Sequence, residues 1–340
     1  MRPSPAPGAA AFQPGARCPA SSPPVKVARL PRKAAAVARA ATVAHAGHAA
    51  LTIIETMQNF QHKLALVTGG SSGIGLALSK QLARLGADVW IAARRPDTLK
   101  QALNEIQKCR VSQDQKFGTI QLDISDENQV NLELSKFLAE VGTPDLLVNN
   151  AGLSRPGEIL NQENEIFRWL INVNYLGTVY VTKRIAPAMV ARKSGHIVNV
   201  ASGAAFIPMY GYGAYGAAKY AMRGFSDVLR EELKFDNIQV SVVMPADVAT
   251  PQHDEETQYL PEMTKIVVGE NEVLMKPEAV AEEIIRGIRK NDYVILPGLF
   301  LKIYYFVYNL GTLGYWVMDL LLNGAYRKLN RPGTAPKVKH

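Results

Sequence analysis

Thr68-Gly69-Gly70-Ser71-Ser72-Gly73-Ile74-Gly75 follows directly on the apolar run 64–67 and opens a helical stretch, 76–85. Glycines at a strand-to-helix turn let the backbone bend tightly and approach a charged group, and the free N–H groups of the helix's first turn favour an anion such as a pyrophosphate. The spacing, G-x-x-x-G-x-G, differs from the common G-x-G-x-x-G fingerprint. Six more apolar runs follow, 89–92, 119–122, 146–148, 196–200, 240–244 and 293–296, alternating with amphipathic stretches of helical length. Runs rich in Val, Ile and Leu without polar alternation belong to a parallel sheet covered on both faces. The expected fold is α/β, one doubly wound sheet of seven parallel strands.

The chain has 340 residues, 47% hydrophobic and 20% charged, which suits one large core. Its formal charge of +8 is unevenly spread. Residues 1–54 carry seven Lys or Arg and no acid, leaving 31 basic against 30 acidic residues in the remainder, a net of +1. A nucleic-acid face is therefore not supported. The same 54 residues hold 17 Ala and 8 Pro with no apolar period, too little to offset the entropy of ordering. Residues 1–56 read as a disordered targeting-like leader, for a plastid or a mitochondrion, 57–296 as one domain, and 297–340 as an apolar membrane-associating segment with a basic tail. Of the two cysteines only Cys109 lies in the body, so no internal disulfide is possible there. The six His are scattered without metal-ligand spacing, and no metal is expected.

Asn149-Asn150-Ala151-Gly152 closes the fourth strand, Asn174 lies on a following helix, Ser202 ends the fifth strand, and Tyr215-Gly216-Ala217-Ala218-Lys219 comes next. With the Thr68–Gly75 turn, these motifs resemble the short-chain dehydrogenase/reductase family over roughly residues 63–296. The resemblance implies a single Rossmann-type sheet, a nicotinamide dinucleotide and hydride transfer. It assigns Gly69, Ser71, Ser72, Gly73, Ile74 and Gly75 to the pyrophosphate turn, and Asp123 and Ile124 to the adenine. Asn150, Ala151 and Gly152 would line the ribose side, while Pro245, Val248 and Thr250 follow the sixth strand at the nicotinamide end. There the chain reads Pro245-Ala246 where the family pattern continues with Gly. The second strand ends in Ala92-Ala93-Arg94-Arg95, with no carboxylate before Asp97. An acid at that turn accepts from a free ribose 2'-hydroxyl, whereas Arg pairs with a 2'-phosphate. The expected cofactor is NADPH, with Arg94 the stronger candidate and Arg95 beside it.

Residues four apart share a helix face, so Tyr215 and Lys219 can act together. A phenol ordinarily titrates near about 10, and the neighbouring ammonium is expected to draw Tyr215 toward working pH. By the resemblance, Ser202 hydrogen-bonds the substrate oxygen, Lys219 also holds the nicotinamide ribose, and Asn174 holds a water that links Lys219 to solvent. Tyr210 and Tyr212 have no Lys four residues on. Asp254-Glu255-Glu256 and Lys302 read as solvated faces.

The stretch Pro245-Ala246-Asp247-Val248-Ala249-Thr250-Pro251, and Lys276-Pro277-Glu278 further on, resemble the 3-ketodihydrosphingosine (3-dehydrosphinganine) reductases. That resemblance implies NADPH-dependent reduction of the C3 ketone of 3-oxosphinganine, a long-chain lipid ketone. Alternatives are another apolar carbonyl (a 3-oxoacyl thioester, a retinoid or a steroid) or, from a different class, a non-catalytic dinucleotide-binding scaffold. The acidic loop 247–256 suits the ammonium of a free sphingoid base. At the C-terminus, 16 uncharged residues, 303–318, include Tyr304, Tyr305, Phe306, Tyr308, Tyr315 and Trp316, and only basic charges follow Asp319. This is short of a span and rich in interface-seeking aromatics, so it reads as a segment on a membrane surface, or else as a helix pair covering the cleft or making a dimer contact. The leader points to an organelle, whereas the resemblance implies the endoplasmic reticulum membrane facing the cytosol. The family also implies homo-oligomers paired through the helices bearing Asn174 and Tyr215.

Overall fold

A computed structural model describes residues 59–268, 274–309 and 313–329. The leader read at 1–56 and the basic tail beyond 329 lie outside the described residues. Strand and helix alternate from the start: β1 (Leu64–Thr68), α1 (Gly73–Arg84), β2 (Asp88–Ala93), α2 (Pro96–Gln107), β3 (Phe117–Gln121), α3 (Glu127–Glu140) and β4 (Leu146–Asn149). They continue through α4 (Asn164–Ile171), a π turn (Asn172–Leu176), α5 (Gly177–Arg192), β5 (Gly195–Val200), α6 (Gly213–Leu233) and β6 (Ile238–Val243). After β6 come α7 (Pro251–Glu256), α8 (Glu262–Val268), α9 (Pro277–Lys290), β7 (Val294–Ile295), α10 (Leu299–Tyr308) and α11 (Leu313–Leu329). Pro residues open α2, α7 and α9, where a missing N–H costs nothing.

The seven strands form one sheet in the order β3-β2-β1-β4-β5-β6-β7, every pair parallel. Successive side chains point to opposite faces, and both faces are apolar. Ala65, Val67 and Val148 pack with Leu78 of α1, Leu99 of α2 and Ile284 of α9. Leu66 and Leu147 pack the other way, on Val130 of α3 and on Val181 and Ile185 of α5. The chain winds outward from β1 through β2 to β3, then returns to place β4 on the opposite side of β1. The helices following β1 and β4 therefore leave to opposite faces, and a crevice opens at the C-terminal ends of these two strands.

One buried polar group lies away from that crevice. His196 of β5 is fully buried, with Nε2 2.8 Å from the Ser241 hydroxyl, which donates to the Asp292 carbonyl at 2.7 Å. Because that hydroxyl has spent its proton on Asp292, Nε2 carries the hydrogen of the imidazole. Nδ1 has no partner, so a second proton would be buried uncompensated, and burial lowers the imidazole to about 3. The unfolded chain takes up this proton as pH falls through about 6.5, while the folded chain refuses it until about 3. His196 therefore withdraws stability across that window as the solution is acidified, at roughly 1.4 kcal/mol per pH unit. His196→Gln is expected to be less stable than the parent at pH 7 but to lose less between pH 6 and pH 4, read from urea midpoints at each pH.

Candidate active site

Thr68 ends β1 at the crevice. Its hydroxyl accepts the N–H groups of Asn150 (3.0 Å) and Ala151 (3.1 Å) and donates to the Val148 carbonyl. The Asn150 amide returns bonds to the carbonyls of Thr68 (3.1 Å) and Gly69 (3.2 Å). The two turns are thereby locked to each other. Gly69 and Gly73 take left-handed φ values of +65° and +53°, and a Cβ on Gly75 would collide with the Gly69 carbonyl and the Asn150 amide. Ser72 occupies the N-cap of α1 without a side-chain bond, and no acid lies in the first turn. The helix thus presents unsatisfied N–H groups to the cleft, which suits a pyrophosphate.

The cleft has a volume of about 380 Å³. One wall is Gly69, Ser71, Ser72, Gly73 and Ile74; the far rim is Arg94, Arg95, Asp123 and Ile124. Asn150, Ala151 and Gly152 form the floor, and Pro245, Val248 and Thr250 line the side toward α7. Gly75 lies behind the wall, where its missing side chain lets the turn close. Arg94 and Arg95 are exposed at the rim, and among the described residues neither guanidinium has a hydrogen bond or an ion pair. The Asp123 carboxylate accepts from the N–H (2.9 Å) and hydroxyl (2.6 Å) of Ser125, which fixes its turn.

At the other end α6 carries Tyr215 and Lys219 inward, both buried, beside Ser202. Ser202 acts on the Tyr215 phenol, whose proton it makes easier to lose, and its hydroxyl accepts the Ala204 N–H at 3.2 Å. Lys219 Nζ donates to the Val200 carbonyl at 3.1 Å and stands 5.6 Å from the centre of the Tyr215 ring. Burial lowers this ammonium to about 8. The sequence implied that Lys219 draws Tyr215 down; the structure corrects this. Burial raises the phenol, the carboxylates of Glu256 and Asp247 raise it further, and only Ser202 opposes them. Desolvation and two nearby negative charges outweigh one ammonium directed at a carbonyl.

Asn174 is buried in the π turn, not in a regular helix, and its amide both accepts from the Leu153 N–H and donates to the Leu153 carbonyl, each at 2.9 Å. Its side chain thereby clamps the main chain of Leu153. A Cβ on Gly152 would meet Asn174 Oδ1 at 2.7 Å and Lys219 Nζ at 3.2 Å, so Asn174, the 150–153 turn and Lys219 converge.

A second correction concerns Glu256, read from sequence as part of a solvated face. It is only 8% exposed, with Oε1 3.4 Å from the Tyr212 hydroxyl and 3.7 Å from His253 Nδ1. Asp247, His253 and Glu256 bring ligand atoms within 4.8 Å of one another, and all three line the same cleft as Tyr215. The sequence groups Asp247 and Glu256 only as ends of one acidic loop; it is the closure of that loop that brings His253 and both carboxylates together.

The model of the short chain dehydrogenase family matches residues 63–260. The chain belongs to this family. A 3-ketodihydrosphingosine reductase of Bos taurus is 36% identical over 229 residues, 67% of this chain and 69% of that one. A 3-dehydrosphinganine reductase of Arabidopsis thaliana is 35% identical over 234 residues, 68% and 69% respectively. The solved structure of levodione reductase superposes with a TM-score of 0.64 at 22% identity, covering 70% of this chain and 96% of that one, a likeness of fold. The short-chain dehydrogenase match runs from β1 through α7 and so takes in the glycine turn, Ser202, Tyr215, Lys219 and Glu256, while α9, α10 and α11 lie beyond it. Within this short-chain dehydrogenase, Gly75→Ala is expected to cost about 1–3 kcal/mol of stability, because neither the Gly69 carbonyl nor Asn150 can retreat without breaking the lock between the turns; thermal unfolding of the two proteins checks it.

Proposed function

We propose that the protein is an NADPH-dependent reductase that converts the C3 ketone of 3-oxosphinganine to the alcohol of sphinganine. The observation that carries the chemistry is a single cleft lined both by an uncapped, glycine-rich helix N-terminus and by Ser202, Tyr215 and Lys219. The substrate comes from the relatives named as 3-ketodihydrosphingosine and 3-dehydrosphinganine reductases. The dinucleotide fits the chain's own residues. Backbone N–H groups of Ser72, Gly73 and Ile74 meet the pyrophosphate, the free guanidiniums of Arg94 and Arg95 meet a 2'-phosphate, and Asp123 with Ile124 borders the adenine. When bound, NADPH supplies the hydride to the carbonyl carbon.

Ser202 hydrogen-bonds the carbonyl oxygen. Tyr215, kept protonated by burial, gives its proton to that oxygen as it becomes an alkoxide. Lys219 is charged at neutral pH, since its lowered value of about 8 still lies above it, and it stabilises the phenolate left behind. Asn174 positions the floor of the site through Leu153.

A long acyl-like chain also needs an apolar approach. α10 turns Leu301 and Tyr304 onto the core and exposes Leu299, Phe300, Ile303 and Phe306 on the opposite side. Among the described residues no helix is long and apolar enough to cross a membrane, and this face is read as lying on a membrane surface.

The test is NADPH oxidation by the full chain in mild detergent with 3-oxosphinganine, beside a 3-oxoacyl thioester and a retinal. Turnover is expected with the first, and Tyr215→Phe is expected to lower kcat about 10²–10⁴-fold while NADPH still quenches protein fluorescence. Turnover of another ketone instead would discard the sphingoid substrate; binding without any turnover would favour the scaffold. Arg94→Ala is expected to weaken NADPH about tenfold or more without changing NADH, as measured by titration of each dinucleotide.

A further inference from the structure

The chemistry above uses Ser202, Tyr215 and Lys219 and leaves one buried carboxylate in the cleft without a task. Glu256 closes α7 with its side chain under the Tyr212 hydroxyl, and the Tyr212 ring stands edge-on to the Tyr215 ring with centroids 6.0 Å apart. Asp247 joins it on the same wall. Among the described residues neither carboxylate has an ion pair with a Lys or Arg; Glu256 stands 3.7 Å from His253 Nδ1 and accepts from the Tyr212 hydroxyl. Two carboxylates held this close to each other and to a phenol, largely out of water, repel one another and are poorly solvated. Their effect is visible at both ends. Burial raises Glu256 above the ordinary carboxylate range, with Asp247 adding to it, and the two carboxylates together help to hold the proton on Tyr215.

We infer that Glu256, assisted by Asp247, receives the ammonium of the substrate and makes this a site for α-amino ketones over neutral ones. The inference rests on the sphingoid reading of the previous subsection and narrows it to a residue. In such a ketone the nitrogen sits on the carbon next to the carbonyl, so once the oxygen lies on Ser202 and Tyr215 the ammonium must lie within the same few ångströms of the cleft wall. It meets the carboxylates there and offsets their repulsion through charge-assisted hydrogen bonds. It also offsets the carboxylates' share in holding the proton on Tyr215, which burial chiefly keeps there. The substrate's own charge thus eases donation by the acid that serves it, and a neutral ketone of equal length leaves that proton more tightly held. Selectivity is therefore expected in kcat as well as in KM.

The experiment compares 3-oxosphinganine with its des-amino counterpart, the same hydroxy ketone without the amine, using the full chain and NADPH. The parent enzyme is expected to favour the amino ketone in kcat/KM by about tenfold to a hundredfold, with part of the difference in kcat. Glu256→Gln is expected to remove most of that preference, and Asp247→Asn a smaller part. Since Glu256 is buried, loss of turnover on both ketones would mark a folding failure, and the parent comparison, which needs no variant, then decides. Equal kcat/KM for the two ketones in the parent would overturn the inference while leaving the sphingoid reading intact, as would a preference that survives in Glu256→Gln. Loss of parent activity to a chelator, restored by zinc, would give the Asp247, His253 and Glu256 group to a metal and overturn it too. If neither ketone is reduced while a retinal or a 3-oxoacyl thioester is, the sphingoid reading falls and this inference with it.

Discussion

The Thr68 hydroxyl joins the two strands between which the sheet changes its winding direction, taking two N–H groups from the turn after β4 and giving its proton to the Val148 carbonyl. Helices that leave β1 and β4 to opposite faces cannot cover the gap between them, so the crevice is a necessity of the topology. Its width is not. That is set by the Thr68 and Asn150 bonds, and behind them by a buried ladder in which Asn149 bonds Thr182 of α5 (3.0 Å) and Asn199 of β5 (2.8 Å), and Asn199 bonds Ser226 of α6 (2.8 Å). The helix bearing Tyr215 and Lys219 is thus referred, through three side chains, to the same splice that shapes the glycine turn. Hydrogen bonds in the interior fix geometry more sharply than apolar contacts do, because losing either partner is costly.

The reacting end of the cleft is an arrangement of groups held away from their ordinary titration ranges. Burial alone would make Lys219 a weak cation and Tyr215 a reluctant acid, and both directions are observed. The shifts do not oppose function. A phenol raised by its surroundings remains protonated throughout the neutral range, which an acid must be before it can donate, and an ammonium at about 8 is still charged there. What must change during the reaction is the balance of charge around the phenol, and Lys219, Asp247, His253 and Glu256 all line the same cleft.

Much of this was legible in the sequence, for identifiable reasons. The Thr68–Gly75 turn, the seven apolar runs and the Tyr215–Lys219 spacing are local patterns, and each of them governs local geometry directly: backbone freedom, strand burial, one helix face. The strand bounds shifted by a residue or two, as at β3, because ladder pairing and not side-chain character ends a strand. Burial of charged groups was not legible. Asp254-Glu255-Glu256 looks solvated as a string, yet the α7 turn carries its last member under Tyr212 while Asp254 and Glu255 stay exposed. The direction of the Tyr215 shift failed for the same reason, since spacing reports who is adjacent but says nothing of how much water is left. Asn174 was found as a residue but not as a conformation, because a π turn has no distinctive composition and is stabilised here by the Leu153 clamp.

The C-terminal stretch was read as a segment on a membrane surface or else as a helix pair, and two helices, α10 and α11, are found there. α10 meets the catalytic helix side chain by side chain: Tyr308 with the Tyr220 hydroxyl at 3.1 Å, Tyr305 with the Arg223 guanidinium at 3.2 Å, and both rings around Phe206, just beyond Ser202. Leu301 of the same helix packs against the backbone at Gly203. An inward face that dense would by itself account for the aromatic residues as core. It does not account for Leu299, Phe300, Ile303 and Phe306 on the outside, where a helix serving only the core would carry polar residues. A helix apolar on both sides has two apolar environments to satisfy, and only one of them is the domain. One helix thus joins the two: its inner face packs on Phe206 and on the backbone at Gly203, next to Ser202, and its outer face carries the exposed apolar residues.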